Sequence, residues 1–478
     1  MNDFIIGILH VDFIDTIALR LSDKPLGFWP TTYPFSQLQP NRLDYYTFIP
    51  FRSLGFPLAD NLWWLSMLSI NGWCGHFMGQ SVRGRVKDGF ASGLSIILCE
   101  TVLRESTLHH APQIMIMGFP LFIGFWLRLD RTPNLINKIG ACSAFILTSL
   151  SYWYYGLFLA LSMIPFLWSK RKIELISVLG ASLLFLVPFI FHVTQTPMFD
   201  IIRPEIPYNP WFFQPVPGDK SGRVSLLLLI GFGIHLRNIQ HKQLIVWPAL
   251  LSILAMSFSI NSPIDEWGFF FGDIQEKIPI ISRLHWPERW SILLHVSCAL
   301  VIIQLPIRWL PFIFFEMIFF SSNTPIPTTP TQSISCFSQL KQINGNILMW
   351  PWDKPEINLS AVYARIHEKP VLNPFVLPRG HALPNEWKPF GENELPTKDL
   401  LIQNNIEAIF MDTSPWSSLS PGEQNTLRYK ITQNLGPSVS LGCAEVWSIS
   451  ELDKPIQKYL DTGLPDTSHY SIEQYWLP

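Results

Sequence analysis

Charge is what this sequence has least of: Asp, Glu, Lys and Arg make up 15% of its 478 residues, where a soluble domain carries about a quarter. That shortage excludes an ordinary water-facing surface over most of the chain. A net charge of −2 leaves no surplus of cations to neutralise a phosphate backbone, so nucleic-acid binding has no electrostatic footing. Cysteine is sparse as well. The six are scattered with no CxxC and no Cys/His spacing of the zinc type, and no structural zinc site is expected. Cys74, Cys99, Cys142 and Cys298 fall inside apolar runs as small core residues, while Cys336 and Cys443 are the two that an oxidising compartment could join.

Apolar and aromatic residues are what is abundant. Hydrophobic types make up 48% of the chain, with 19 Trp and 35 Phe among them, more than a water-soluble core of this length uses and well suited to lipid-facing and interfacial positions. The lipid bilayer is therefore the first expected partner. Runs long enough to cross hydrocarbon fall near 57–80, 89–104, 111–128, 173–193, 224–236, 243–260 and 289–304. The stretch 139–168 is too long for one span and breaks near Ser151–Gly156, which makes two short helices, and 305–320 supplies one more. The expected fold class is mainly α: a polytopic helical bundle of about ten spans, followed by a small α/β domain.

Charge sorts the connecting loops. Arg83, Arg85 and Lys87 lie in one short loop, Arg128, Arg131 and Lys138 in the next but one, then Lys170, Arg171 and Lys172, then Arg237 and Lys242, then Arg308. All fall on one side, which the positive-inside rule assigns to the cytoplasm of an inner (plasma) membrane. The opposite loops, and everything after about residue 321, are then extracytoplasmic. This orientation puts Met1 outside, so a first transmembrane helix is expected upstream of it. Residues 4–20, interrupted by Asp12 and Asp15, are expected as an amphipathic helix along the outer interface; the alternative is that they insert.

Four parts follow: an outer segment over 1–56 that carries this interfacial helix, a transmembrane helical domain over 57–320, a Pro/Ser/Thr-rich linker over 321–335, and an extracytoplasmic α/β domain over 336–478. In the last, Ile347–Trp350, Ile406–Met411 and Ala444–Ser448 read as strands and Glu423–Gln433 as a helix. It holds no phosphate loop, metal cluster or nucleophile elbow.

Four polar clusters converge on the outer face. Asp3 and Asp44 are candidate general bases, since a carboxylate at the membrane surface can accept a proton from an acceptor hydroxyl; Asp12 and Asp15 fit the wet face of the interfacial helix. Glu105, His109, His110 and Gln113 sit at the outer end of one span, where imidazole and carboxamide can grip a phosphate or sugar, against the plainer reading of interfacial histidines. Tyr152, Trp153, Tyr154 and Tyr155 form an aromatic turn with Gly156 at its bend, which can stack on a sugar or simply belong to the aromatic belt. Arg283 and Arg289 open a later span on the side where cations are rare, and guanidiniums bind phosphate bidentately. No convincing set of divalent-metal ligands is present, which leaves metal assistance an open alternative, and no cofactor is called for.

Taken together these residues resemble a known group: large bacterial membrane proteins of the GT-C glycosyltransferase superfamily. The resemblance runs through Asn2-Asp3, Tyr33-Pro34, Asp60-Asn61, His109-His110 with Gln113, Ser151 to Gly156, Arg283 to Arg289, and Tyr363 to Gly380 in the tail. It implies an inverting transferase that takes a sugar from a polyprenyl-phosphate donor in the outer leaflet, with Asp3 as base, Arg283 or Arg289 and His109 neutralising the departing lipid phosphate, and the Tyr/Trp turn bordering the donor groove. Two other classes remain open: a transporter or flippase for a lipid-linked or anionic solute, to which Glu100 and Glu316 near span ends are relevant, and a catalytically inactive scaffold of envelope polysaccharide assembly.

Overall fold

A computed structural model of the chain describes residues 4–6, 43–54, 58–107, 111–195, 224–257, 287–319, 328–330, 337, 339–340, 343, 346–351, 371–372, 395–403, 406–414, 417 and 419–449. The apolar runs form helices, several of them broken where the sequence shows one hydrophobic stretch. After strand β1 (Phe4–Ile6) and helix α1 (Leu43–Phe48) come α2 (Leu58–Arg83), α3 (Val86–Ile97), α4 (Glu100–Thr107), α5 (Ala111–Ile114) and α6 (Gly118–Arg131). Then follow α7 (Leu135–Ser151), α8 (Trp153–Ser162), α9 (Lys172–Gln195), α10 (Leu226–His235), α11 (Lys242–Ser257), α12 (Ser291–Ile302) and α13 (Leu310–Phe319).

The run expected as one span over 89–104 is two helices. It breaks at Leu98 and Cys99, where Glu100 opens α4. The break expected near 151–156 is confined to Tyr152, which is extended at φ −155° and ψ 111°. Trp153 onward is already helical, so Gly156 makes no bend. Its role is close approach: a Cβ there would lie 2.2 Å from Ser149 Oγ of α7.

Small residues bring α2 and α3 together in the same way. A Cβ on Gly93 would meet the Gly72 carbonyl oxygen at 2.5 Å, so the two backbones touch along a stripe that only glycine allows, a packing common between helices in lipid. Trp63, Trp64, Trp126 and Phe119 fill the core between helices. The outward faces stay apolar, with Trp73, Phe90 and Leu184 largely exposed, a surface that hydrocarbon suits and water does not. Among the described residues one helix, Pro112–Arg131, is both long and apolar enough to cross a membrane alone, and 135–151, 153–168, 226–238, 242–255 and 291–302 are shorter apolar helices.

The basic loops meet at one end of the bundle. Arg83 Nη1 donates to the Ile303 carbonyl at 3.2 Å, Arg131 to the Val82 carbonyl, and Arg171 Nη2 to the Asp130 carbonyl at 2.8 Å. Arg128 donates to Ser81 Oγ at 3.0 Å and lies over the Phe77 ring. Arg83, Arg131 and Arg171 thus satisfy carbonyls at helix C-termini, where the macrodipole favours cations.

The interfacial helix expected over 4–20 is not what its first residues form. Phe4–Ile6 is a strand, antiparallel to β2 (Thr328–Pro330), with Ile5 opposite Thr329. Aromatic and β-branched residues favour a pleated strand, and the partner is the segment after α13, so distant parts of the chain satisfy each other's backbone groups. Residues 7–20 lie outside the described residues.

In the C-terminal part, β3 (Asn346–Met349), β4 (Val371–Leu372), β5 (Ile406–Asp412), β6 (Val439–Ser440) and β7 (Ala444–Ser448) form one sheet in the order β4-β3-β5-β7-β6. β3 runs parallel to β4 and β5, whereas β7 is antiparallel to both of its neighbours. Helix α14 (Lys398–Gln403) packs on β5, and α15 (Pro421–Leu435) packs on β7, over a core of Trp350, Ile409, Met411, Ile431 and Trp447. A capping box between Ser420 and Glu423 starts α15, and Gly436 ends it at φ +91°. Cys443 is disulfide-bonded, whereas Cys74, Cys99, Cys142 and Cys298 are free; Cys336 lies outside the described residues.

Candidate functional site

At the end of the bundle away from the basic loops, the α7–α8 junction, α4, α5 and the 3-10 turn Pro287–Trp290 before α12 come together. Tyr152 closes α7 and sends three aromatic residues into the first turn of α8. Its ring centroid lies 5.0 Å from that of Tyr154 and 4.9 Å from that of Tyr155, and Trp153 stacks on Tyr154 at 3.8 Å. Tyr152, Tyr154 and Tyr155 are buried and Trp153 is half-buried.

Arg289 enters this cluster from the turn before α12. Its guanidinium carbon lies 5.2 Å from the Tyr152 ring centroid and 5.2 Å from that of Tyr154, within cation–π range of both. The next residue fixes the turn: Trp290 stacks on Phe158 of α8 at 4.0 Å, and its carbonyl accepts from Ser252 Oγ at 2.7 Å. Arg289 is thereby held at the aromatic junction by its neighbour's packing, not only by its own charge.

Tyr155 ties the junction to α5. Its buried hydroxyl donates to the Gln113 carbonyl oxygen at 2.9 Å, and the residue stands within electrostatic reach of Glu105, Arg289 and Arg104. Arg104 Nη1 donates to Glu105 Oε1 at 2.9 Å, and both side chains are buried. Thr101 and Ser291 share a hydrogen bond of 2.6 Å that locks α4 to α12. Two guanidiniums and one carboxylate therefore stand near Tyr155, a net charge of +1 that suits an anionic group better than a neutral solute.

Asp44 lies in the first turn of α1 and is 1% exposed. Its helix packs against α5 and α7, and Asn71 of α2 donates to the Ile114 carbonyl of α5 at 2.6 Å. Asp60 and Asn61, in the first turn of α2, are buried as well. The structure thus gathers Gln113, Tyr152, Trp153, Tyr154, Tyr155 and Arg289 at one junction, with the Asp44 helix packed on the elements that carry it. Asp3, His109, His110 and Arg283 lie outside the described residues.

Arg104 is the member that sequence reasoning missed. The signal was there: an arginine beside Glu105 at the outer end of an apolar run, away from the basic loops. Among the described residues no group of three or more His, Cys, Asp or Glu side chains is placed to hold a metal ion.

Helices broken at mid-run, a polar junction at the end away from the basic loops, and a sheet after the last helix make up the fold of this chain. A solved structure that shares it is the arabinofuranosyltransferase AftD from mycobacteria, with a TM-score of 0.53 over 93% of this chain. Sequence identity is 12%, so the likeness is one of fold, and this chain spans 38% of the length of that one. No family model and no curated protein matches the sequence.

Proposed function

We propose that this chain is a multi-pass inner-membrane glycosyltransferase that moves a sugar from a polyprenyl-phosphate donor to an envelope acceptor on the extracytoplasmic side. The likeness in fold to a glycosyltransferase over 93% of the chain carries this reading, and the charge of the junction supports it. About ten spans hold the site at the outer leaflet, and the C-terminal sheet lies outside the membrane above it.

The chemistry follows from the residues. A carboxylate, Asp3 or Asp44, takes the proton of an acceptor hydroxyl as that oxygen attacks the anomeric carbon. The bond from that carbon to the phosphate oxygen breaks, and its electron pair leaves with the polyprenyl phosphate. Charge that grows on the phosphate is met by Arg289, with Arg283 and His109 beside it. His110 and Gln113 contribute donors to the same anion, and Tyr152, Trp153, Tyr154 and Tyr155 border the lipid-linked sugar. Attack from the face opposite the phosphate inverts the anomeric centre.

The test is transfer of labelled sugar from a panel of polyprenyl-phosphate donors by membranes that contain the chain, compared with Asp3→Asn and Asp44→Asn. Loss of transfer in one of the two, with the protein still folded, identifies the base. Equal background traces from all three would reject the transferase reading.

A further inference from the structure

One turn below the junction, on the far side of the Thr101–Ser291 hydrogen bond, the helices line a small, partly open pocket of about 30 Å³. It lies beside the break between α3 and α4. Ser95, Cys99 and Glu100 line it from the break, His295 and Cys298 from α12, and Glu316 from α13. Three polar features stand among its largely apolar lining.

The first is His295, which is 3% exposed and whose Nε2 has no hydrogen-bond partner among the described residues. A buried ring nitrogen without a partner costs about 1–3 kcal/mol, and an apolar residue of the same volume would avoid that cost. The second is Glu316. Its Oε1 accepts from the Leu226 backbone N–H at 2.7 Å, and its Oε2 from Ser225 Oγ at 2.7 Å and from the Leu227 N–H at 3.0 Å. That clasp puts a carboxylate on the cavity wall at the start of α10. The third is the helix break itself, because a discontinuous helix within an apolar bundle is tolerated where its backbone faces a wet space.

We infer that this cavity is a hydration site in which ordered water bridges His295 Nε2 to the Glu316 clasp and to the broken end of α3. Its volume suits about two waters at roughly 10–15 Å³ each, and the wall offers the several polar partners that a buried water requires. The water completes the hydrogen bonding of His295 Nε2, which has no partner among the described residues. It joins α3, α10, α12 and α13 directly beneath the arginine–tyrosine junction. The inference stands apart from the transferase reading, since it concerns what fills the cavity and not what reacts above it.

The two cysteines of similar burial provide the test. Cys99 lines the cavity and is 2% exposed, whereas Cys74, in the α2 core, is 4% exposed and does not line it. Dry packing predicts that Cys99 is protected at least as well as Cys74. Pulsed X-ray hydroxyl-radical footprinting, read by mass spectrometry on the full chain in nanodiscs, generates radicals from bound water inside the protein. The expected result is oxidation of Cys99 several-fold faster than of Cys74, falling to the Cys74 rate in His295→Phe. Equal or slower oxidation of Cys99 in the unmodified protein overturns the inference without recourse to any variant. Unchanged fast oxidation in a folded His295→Phe protein overturns the assignment of His295 as the anchor of the water.

Discussion

The Arg289 guanidinium carbon stands 5.2 Å from the centroid of the Tyr152 ring, and Tyr152 is the one extended residue between α7 and α8. A guanidinium is a planar fork of five N–H donors that can rest against an aromatic ring and still donate from its rim. Lysine has no such plane. On the proposed reading, Arg289→Lys therefore loses transfer nearly as completely as Arg289→Met, each by about 10²–10³-fold in kcat, the scale of losing one donor to developing charge. Steady-state transfer with a polyprenyl-phosphate sugar checks it, and full activity of the lysine variant would reduce Arg289 to a point charge.

The Tyr155–Gln113 hydrogen bond and the Gly156–Ser149 contact hold the same helix start by different means. Tyr155→Phe leaves the buried Gln113 carbonyl without its donor and is expected to cost about 1–2 kcal/mol. Gly156→Ala places a methyl 2.2 Å from Ser149 Oγ and is expected to cost about 1–3 kcal/mol through overpacking. Gly180 in α9 has nothing within 4 Å of an added Cβ, so Gly180→Ala is neutral or stabilising by up to about 1 kcal/mol. Thermal unfolding of the three purified variants should rank them in that sense.

Arg104 and Glu105 form a buried pair at 2.9 Å. Removing one partner strands the other in low dielectric, at about 3–5 kcal/mol, whereas replacing both by apolar residues restores much of the loss. Glu105→Leu alone should therefore be less stable than Arg104→Met combined with Glu105→Leu. If the double variant regains stability but not transfer, the pair serves the site and not the fold.

At the opposite end of the bundle, between α10 and α11, burial lowers the pKa of His241 below its ordinary 6.5, with Arg131 adding to the effect and Asp130 opposing it. The unfolded chain then takes up this proton at a higher pH than the folded one. Stability from this group is complete above about 6.5 and falls as pH drops from there towards the lowered folded value. His241 has φ +54°, a conformation that asparagine tolerates. His241→Asn should flatten the loss of thermal stability between neutral and mildly acidic pH, and an unchanged slope would assign it to other groups.

The apolar runs announce the helices because burial of a whole turn-by-turn face leaves a long hydrophobic signature. The runs at 173–193 and 224–236 match α9 and α10 to within a few residues. The strands of the C-terminal sheet are legible for a related reason, since Ile406–Met411 and Ala444–Ser448 are short, mostly apolar runs that include β-branched and aromatic residues. The break at Leu98–Cys99 is not legible, for both residues are apolar and the polar groups beside it, His295 and Glu316, come from distant helices. The pairing of Phe4–Ile6 with Thr328–Pro330 is equally hidden, because partners more than three hundred residues apart leave no local pattern. At the site, the aromatic turn stands out in sequence, but its tie to Gln113 runs through a backbone carbonyl, which no side-chain pattern records.

The central claim is tested most directly by following the lipid product. Purified full-length chain, reconstituted in liposomes with a labelled polyprenyl-phosphate sugar and an envelope glycan acceptor, should release free polyprenyl phosphate in step with transfer of the sugar, with inversion at the anomeric carbon, and both should fall together in Arg289→Met. Movement of the intact lipid-linked sugar between leaflets with no release of polyprenyl phosphate would contradict the account and make the protein a carrier of that lipid.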